Sequence, residues 1–156
     1  MKYSKNIYDI PFPKNIKINI EKAPFHYESD WQKYAIDFKI PVGTKIIAAQ
    51  KGLAFQVIDN FDSGDGNKTN LESANLIIIK HKHNEYSCYA HLRKNCLIKE
   101  GQNVRKGDPI AFSDITGYCG YPHLHFCIMK NKENWITIPA QFKTENGIKI
   151  LRSPKK

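Results

Sequence analysis

Two histidines separated by one residue are the first candidates for chemistry in this sequence. They are His123 and His125, in the stretch YPHLHF. In a β-strand, residues i and i+2 point to the same face, so both imidazoles would project together while Leu124 and Phe126 turn into apolar packing. One ring could then bind a metal ion while its neighbour, roughly 6–7 Å away at its root, lies beside a water on that metal. Two ordinary strand histidines remain the simpler alternative.

An acid and a third histidine occur in similar apolar surroundings. Asp37 is an isolated acid within the run YAIDF, and a buried carboxylate is costly unless it is paired or bound to metal. His91, in the stretch YAHL, lies at the end of an apolar strand and just before the basic loop at residues 93–95. A catalytic zinc site uses three protein ligands and leaves one position for water, whose proton a further base collects. Both residues suit such a site, but a strand-edge aspartate and a half-buried strand-end histidine are the alternatives.

Short β-strands are the elements that would position these residues. Runs rich in β-branched and aromatic residues, bounded by turn residues, recur about every 8–12 residues, as is typical of an all-β sandwich or barrel. The segment from residue 60 to 73 predicts a long surface loop. We expect strands at residues 45–49, 52–58, 75–81, 86–92 and 123–129.

The segment IKEGQNVRKGDPIAF, residues 98–112, alternates apolar positions with glycine turns. This pattern predicts tight, swept-back hairpins like those of lipoyl- and biotinyl-carrier domains. A carrier would need an exposed lysine at a hairpin tip, for which Lys99 or Lys106 is available, but the Met-Lys-Met of biotinyl carriers is absent. We therefore interpret the segment as scaffold.

Length and composition predict one folded domain. The chain has 156 residues, 41% of them hydrophobic and 12% aromatic, which fits a globule with a substantial core. We expect a compact, all-β, antiparallel sandwich or barrel-like domain. Its parts would be an N-terminal arm or edge strands (residues 1–22), a core (23–143), and a C-terminal strand with a fraying tail (144–156).

The chain is basic, with 24 Lys and Arg against 15 Asp and Glu and a formal net charge of +9. Nucleic acid, anionic lipid and anionic cell-wall polymers would all suit this charge. The lysines are scattered, so charge alone does not choose among these partners. No run of about 18 apolar residues occurs, which predicts no transmembrane helix, and no signal peptide is visible.

The four cysteines, Cys88, Cys96, Cys119 and Cys127, include no C-x-x-C pair. Their spacing argues against a structural zinc knuckle or a thioredoxin motif. An even number permits disulfides without requiring any, and the spacing leaves the pairing open.

Five blocks, in order, resemble the zinc endopeptidases of the lysostaphin and LytM type, which cut bacterial peptidoglycan cross-links. The resemblance implies the fold of that family, of the duplicated hybrid motif type with lipoyl-like hairpins, and one zinc ion per chain. The blocks extend over about residues 23–143 and are YAIDFKIPVGTKIIAAQKGLAFQV, NLIIIKH with YAHL, IKEGQNVRKGDPIAFSDITG, YPHLHF and ITIPAQF.

Four positions match the family's motif directly. The resemblance implies that Asp37 and His125 are zinc ligands. It also implies that His91 and His123 form a catalytic pair, which orients the water, takes its proton and stabilises the tetrahedral oxyanion.

The third ligand departs from the commonest family pattern, which has a histidine four residues before the aspartate. That position is Lys33 here, and a lysine cannot serve as a normal zinc ligand. The branch with YAIDF places its histidine further upstream, and His26, in PFHYESDWQKYAID, matches that arrangement. We therefore predict His26, Asp37 and His125 as the metal ligands. The alternative is a surface His26 and a degenerate site.

A second H-x-H pair, His81 and His83, lies next to the predicted turn at residues 84–85. Neither position matches a ligand of the family. We predict that both are exposed turn residues.

The function implied by the resemblance is zinc-dependent hydrolysis of peptide cross-links or stem peptides of peptidoglycan. Anionic cell-envelope polymers would be further partners, nucleic acid would not, and the expected location is periplasmic or extracellular. Loops at residues 61–73, 93–96 and 114–121 would form a groove, with Tyr118 and Tyr121 along its wall. The main alternative is a catalytically inactive family member that acts as a binding or regulatory module for other wall hydrolases.

Overall fold

A computed structural model of the chain describes residues 2–62, 73–117, 119–130 and 134–156. The regular structure in these residues is β-strand, with short 3-10 turns at Pro24–Glu28 and Lys82–Asn84. The prediction of an all-β fold is confirmed. The described part of the chain contains no helix long and apolar enough to cross a membrane.

The strands follow one another through the described residues with short connections. The strand β4 has the bounds expected from the sequence, and the other four expected strands overlap β3, β5, β6 and β9. The strands are β1 (Ile7–Asp9), β2 (Ile36–Lys39), β3 (Lys45–Ile47), β4 (Gly52–Ile58), β5 (Leu76–Lys80), β6 (Glu85–Ala90), β7 (Asn103–Val104), β8 (Pro109–Phe112), β9 (His123–Lys130), β10 (Ile136–Ile138), β11 (Gln141–Thr144) and β12 (Gly147–Ile150).

The main sheet has the strand order β10-β9-β6-β5-β4-β7, with every pairing antiparallel. The strand β2 joins this sheet by pairing with the first half of β9, while β10 pairs with its second half. Two smaller sheets, β1-β11-β12 and β3-β8, complete the fold. The long strand β9 therefore connects three neighbouring strands and is central to the molecule.

The alternation of side chains along β9 decides which face carries the histidines. Leu124, Phe126 and Ile128 are fully buried in the core, where the Phe126 ring packs 5.1 Å from that of Tyr89. Because neighbouring residues of a strand face opposite sides, His123 and His125 are turned away from this core. A shift of the strand by one residue would turn the histidines into this apolar core and remove Phe126 from it, so apolar packing fixes the register.

The segment that we interpreted as scaffold contributes β7 and β8. The strand β7 pairs with β4 and β8 pairs with β3, so the segment connects the main sheet to a smaller one. Gly101 and Gly107 have φ values of 86° and 90°, in the left-handed region that favours glycine. These two turns explain the glycine spacing seen in the sequence.

The prediction for the second H-x-H pair is half wrong. His83 is exposed and lies in a turn with a φ of 64°, as expected. His81 is buried, with Nδ1 2.7 Å from the carbonyl oxygen of Lys51 and Nε2 2.7 Å from Oγ of Ser87. Because Lys51, just before β4, and Ser87 in β6 give each ring nitrogen a polar partner, this histidine can be buried at low cost.

Both ends of the chain contribute to the folded structure. Tyr8 and Phe12, in the predicted arm, belong to the core, and the Tyr8 hydroxyl donates to the buried carboxylate of Glu85. The predicted C-terminal strand is β12, which pairs with β11. The prediction that the chain frays beyond it is wrong at Ser153, which is buried because it packs behind β2.

Candidate metal centre

The three predicted ligands converge on one point at the face of the main sheet. Nδ1 of His125 lies 3.0 Å from Oδ1 of Asp37, and Nε2 of His26 lies 3.3 Å from Oδ2 of the same carboxylate. One potential ligand atom from each residue lies within 4.8 Å of the other two. His26 and Asp37 are buried, while 12% of the His125 side chain is exposed. The cluster therefore opens to solvent on the side of His125.

Pairing of β2 with β9 positions two of these residues. Asp37 and His125 are directly opposite each other in the antiparallel ladder. His26 comes from outside the sheet, on the 3-10 turn Pro24–Glu28, where its backbone N–H donates to the carbonyl of Ala23. The ring of His26 meets that of His125 edge-on, with centroids 5.0 Å apart.

The hydrogen bonding of His26 provides a test of whether these residues fit a metal ion. Nδ1 lies 3.2 Å from the carbonyl oxygen of Ala35, which can only accept, so Nδ1 carries the ring proton. In the neutral ring Nε2 is then a lone pair, fully buried 3.3 Å from Oδ2 of Asp37, and it makes no hydrogen bond with the described residues. Such an arrangement of lone pair and carboxylate is unfavourable unless a proton or a metal cation lies between the two groups. The set of two imidazoles and one carboxylate matches the ligands that zinc prefers.

The charge of Asp37 follows from its contacts. Burial by itself raises the pKa of this carboxyl, but the side-chain contacts with His125 and His26 outweigh burial and hold the pKa well below its usual range. The residue is therefore a carboxylate across the physiological pH range, as a metal ligand must be.

The C-terminal tail supports Asp37 from behind. Oγ of Ser153 accepts a hydrogen bond from the backbone N–H of Asp37 at 2.8 Å. The Tyr27 hydroxyl donates to the carbonyl of Ser153, and the N–H of Ala23 donates to that of Pro154. The tail is thereby tied both to β2 and to the segment that carries His26. We did not predict this contact, because no spacing in the sequence relates residues 116 positions apart.

The predicted catalytic pair lies next to the cluster. His91 directly follows β6, His123 begins β9, and their ring centroids are 4.7 Å apart. Nδ1 of His91 donates to the carbonyl of Thr116 at 2.6 Å, and Nδ1 of His123 lies 2.9 Å from that of Tyr121. These contacts leave Nε2 of each ring without a proton, and Nε2 of His123 is 3.6 Å from Oδ1 of Asp37.

Burial keeps both rings of the pair neutral. It lowers the pKa of His91 to about 3, an effect that nearby His123 and His125 strengthen. Burial also lowers the pKa of His123, more strongly than neighbouring Asp37 raises it. A neutral imidazole with a free Nε2 is a proton acceptor, which is what a general base requires.

The loops expected to form a groove are described only in part. Tyr121 stacks beside the predicted catalytic pair, with its ring centroid 4.5 Å from that of His123. Residues 63–72 and Tyr118 lie outside the described residues. The region around the cluster also contains Thr116 and the buried thiol of Cys119, two residues that we did not predict from the sequence.

The fold and this arrangement together define the class of protein. A buried carboxylate between two imidazoles, open on one side and flanked by two neutral histidines, is the layout of a metal-dependent hydrolase centre. The chain belongs to peptidase family M23, whose sequence model matches residues 32–136.

Relatives of the chain include proteins named as metalloproteases and endopeptidases. An uncharacterised metalloprotease of Buchnera aphidicola is 30% identical over 138 residues, covering 86% of this chain and 33% of the relative. The peptidoglycan DD-endopeptidase ShyA of Vibrio cholerae is 32% identical over 94 residues, covering 58% of this chain and 18% of ShyA. The chain therefore spans a third or less of the length of these relatives.

A solved structure shows the same fold. The zinc-containing peptidase from Vibrio cholerae superposes with a TM-score of 0.59 at 23% identity, over 85% of this chain and 39% of that one. At this identity the similarity establishes the fold alone.

Proposed function

We propose that this protein is a zinc-dependent endopeptidase that hydrolyses peptide bonds of bacterial peptidoglycan. The observation that carries the proposal is the convergence of His26, Asp37 and His125, with the buried Nε2 of His26 aimed at the carboxylate of Asp37 beside His125. Membership of peptidase family M23 supports the same conclusion.

His26, Asp37 and His125 would hold one zinc ion per chain. Nε2 of His26 and Nδ1 of His125 already face the carboxylate from two sides, so little rearrangement is needed. When bound, zinc supplies a Lewis acid for the scissile carbonyl and lowers the pKa of its water to about 7. The exposed side of His125 leaves room for water and substrate.

His91 and His123 would serve the proton transfers of the reaction. The carbonyls of Thr116 and Tyr121 hold the two rings in the tautomer whose Nε2 is free. Nε2 of one ring takes the proton of the attacking water, and the resulting imidazolium stabilises the negative charge that develops on the substrate oxygen.

The substrate is proposed to be an extended peptide of the cell wall. The ring of Tyr121 beside His123 forms one wall of the approach to the cluster. Because relatives of the chain are named as peptidoglycan endopeptidases, we propose a location in the periplasm or outside the cell, with residues 23–143 as the peptidase core. A net charge of +9 is compatible with such an anionic envelope.

A binding or regulatory module is the alternative function. Such a role requires neither a set of metal ligands nor two histidines positioned for proton transfer. The position of the predicted catalytic pair directly beside the cluster of predicted ligands favours the enzyme.

Incubation with purified peptidoglycan tests the proposal. We expect the protein to release soluble fragments. A chelator should stop this release, and added zinc should restore it. Mass spectrometry of the new ends distinguishes a D-alanyl cross-link from a glycyl-glycine bridge. His125→Ala should abolish release, whereas His83→Ala, which changes an exposed histidine outside the cluster, should not. Equal release with and without chelator, or equal release by the two variants, would refute the proposed zinc-dependent hydrolysis.

A further inference from the structure

A second group of metal-binding side chains adjoins the proposed zinc centre. His91, Cys119 and His123 each offer one ligand atom, and these atoms lie within 4.8 Å of one another in the described structure. None of the three belongs to the first ligand set. A thiol beside two imidazoles is a donor set for a thiophilic cation.

The contacts of Cys119 and His123 show how these donors are arranged. Sγ of Cys119 lies 3.0 Å from the carbonyl oxygen of Tyr121, and Nδ1 of His123 lies 2.9 Å from the same oxygen. Sγ and Nδ1 are themselves 3.5 Å apart. Two hydrogen-bond donors thus converge on one carbonyl, and a cation that replaces both protons would find sulfur, nitrogen and oxygen already gathered around it.

His91 supplies the remaining ligand. Its Nδ1 is engaged by the carbonyl of Thr116, so its free Nε2 is available. Cys119 and His123 are 2% and 5% exposed, which limits competition by water.

We propose that a second metal site is formed by Cys119, His91 and His123 with the carbonyl of Tyr121. It would bind a thiophilic divalent cation, of which zinc is the expected one. Binding releases the thiol proton to solvent and moves the ring proton of His123 from Nδ1 to Nε2. The new Nε2–H then faces Oδ1 of Asp37, 3.6 Å away, and can donate to it.

Occupation of this site inhibits hydrolysis. The cation binds Nε2 of His91 and leaves Nε2 of His123 protonated, so neither ring accepts a proton from water. This consequence rests on the proposed peptidase activity, whereas binding of the cation does not. Metal supplied beyond one equivalent would therefore inhibit the enzyme.

Addition of Co²⁺ to the zinc-loaded protein tests the binding. We expect a thiolate-to-cobalt charge-transfer absorption in the near ultraviolet that saturates at one equivalent. Cys119→Ser should abolish this band, as should Cys119→Ala. Cys96→Ser is the matched control, because Cys96 contacts the carbonyl of Arg93 and offers no ligand to this group, and it should retain the band. Absence of the band in the wild-type protein, or its persistence in both Cys119 variants, would overturn the site.

Activity at rising zinc concentration tests the inhibition. Each protein is compared with its own activity at one equivalent of zinc. Loss of a residue that only supports a metal ligand typically weakens metal binding by roughly 10–100-fold, and loss of a ligand should cost at least as much. Half-inhibition of the Cys119→Ser protein should therefore require about tenfold more zinc than half-inhibition of the wild type. Equal sensitivity of the wild type and Cys119→Ser, or activation by the second equivalent, would overturn inhibition through this site. A protein that shows the cobalt band but no hydrolysis under any condition would refute the proposed function and leave the second site standing.

Discussion

Asp37 and His125 lie directly opposite each other on adjacent antiparallel strands, with 3.0 Å between Oδ1 and Nδ1. The pairing of β2 with β9 places the two backbones opposite each other, and both side chains start from strand residues. Two of the three predicted ligands are therefore held in place before any ion binds. Such preorganisation on a rigid sheet is what a precise metal site requires.

Removal of the carboxylate should weaken metal binding strongly. We expect Asp37→Ala to lose at least about 10–100-fold in zinc affinity, since the ligand that neutralises the ion's charge is gone. Metal content after dialysis and competition with a chromophoric chelator measure this loss. Asp62→Ala, which changes an exposed acid paired with Lys94, should retain zinc. Equal zinc content in the two variants would contradict the assignment.

Replacement of His26 tests the least expected ligand. His26→Gln keeps much of the side-chain volume but replaces the imidazole nitrogen with an amide. Zinc binding should therefore be lost, and hydrolysis should be lost with it. Lys33→Ala is the matched control, because Lys33 occupies the position of the commoner family pattern but is exposed, with Nζ over the Tyr34 ring. Zinc retained by His26→Gln and lost by Lys33→Ala would reverse the assignment.

Loss of His91 should separate metal binding from catalysis. His91→Ala leaves His26, Asp37 and His125 intact, so the first zinc should remain bound. Removal of a proton-transfer group typically lowers rate by about 10²–10⁴-fold, and we expect kcat to fall within that range. Metal analysis and peptidoglycan assays on the same preparation check both halves. A His91→Ala protein that has lost its first zinc would show that this residue is a ligand.

Truncation of Ser153 should lower both the stability of the protein and its affinity for zinc. Ser153→Ala leaves the buried N–H of Asp37 without its acceptor, which costs about 1–3 kcal/mol of unfolding free energy. Because that N–H belongs to a ligand, zinc affinity should fall as well.

The matched control for Ser153 is Ser113→Ala. Oγ of Ser113 is also buried and accepts from a backbone N–H, that of Thr44, but it touches no predicted ligand. The N–H of Thr44 also donates to the carbonyl of Pro41, so urea unfolding should show a smaller destabilisation in Ser113→Ala than in Ser153→Ala. Zinc titration should show a loss only in Ser153→Ala. Unchanged zinc affinity in Ser153→Ala would mean that the tail does not support the site.

Much of the fold could be predicted because its signals are local. Alternation along HLHFCIM and the apolar run around Asp37 specify strands and the faces that they bury. The position of His81 could not be predicted in this way. Its burial depends on Lys51 and Ser87, which only the assembled sheet brings beside it.

The sequence by itself determined the strand class, the shared face of His123 and His125, and the family to which the motifs belong. The roles of the five site residues stay predictions. Only the tertiary structure decided that His26 lies beside Asp37 while Lys33 faces solvent, and that Ser153 closes behind the carboxylate. The physical reason is that these contacts depend on how a 3-10 turn and a C-terminal tail pack across the sheet, and no periodicity along the chain encodes that packing.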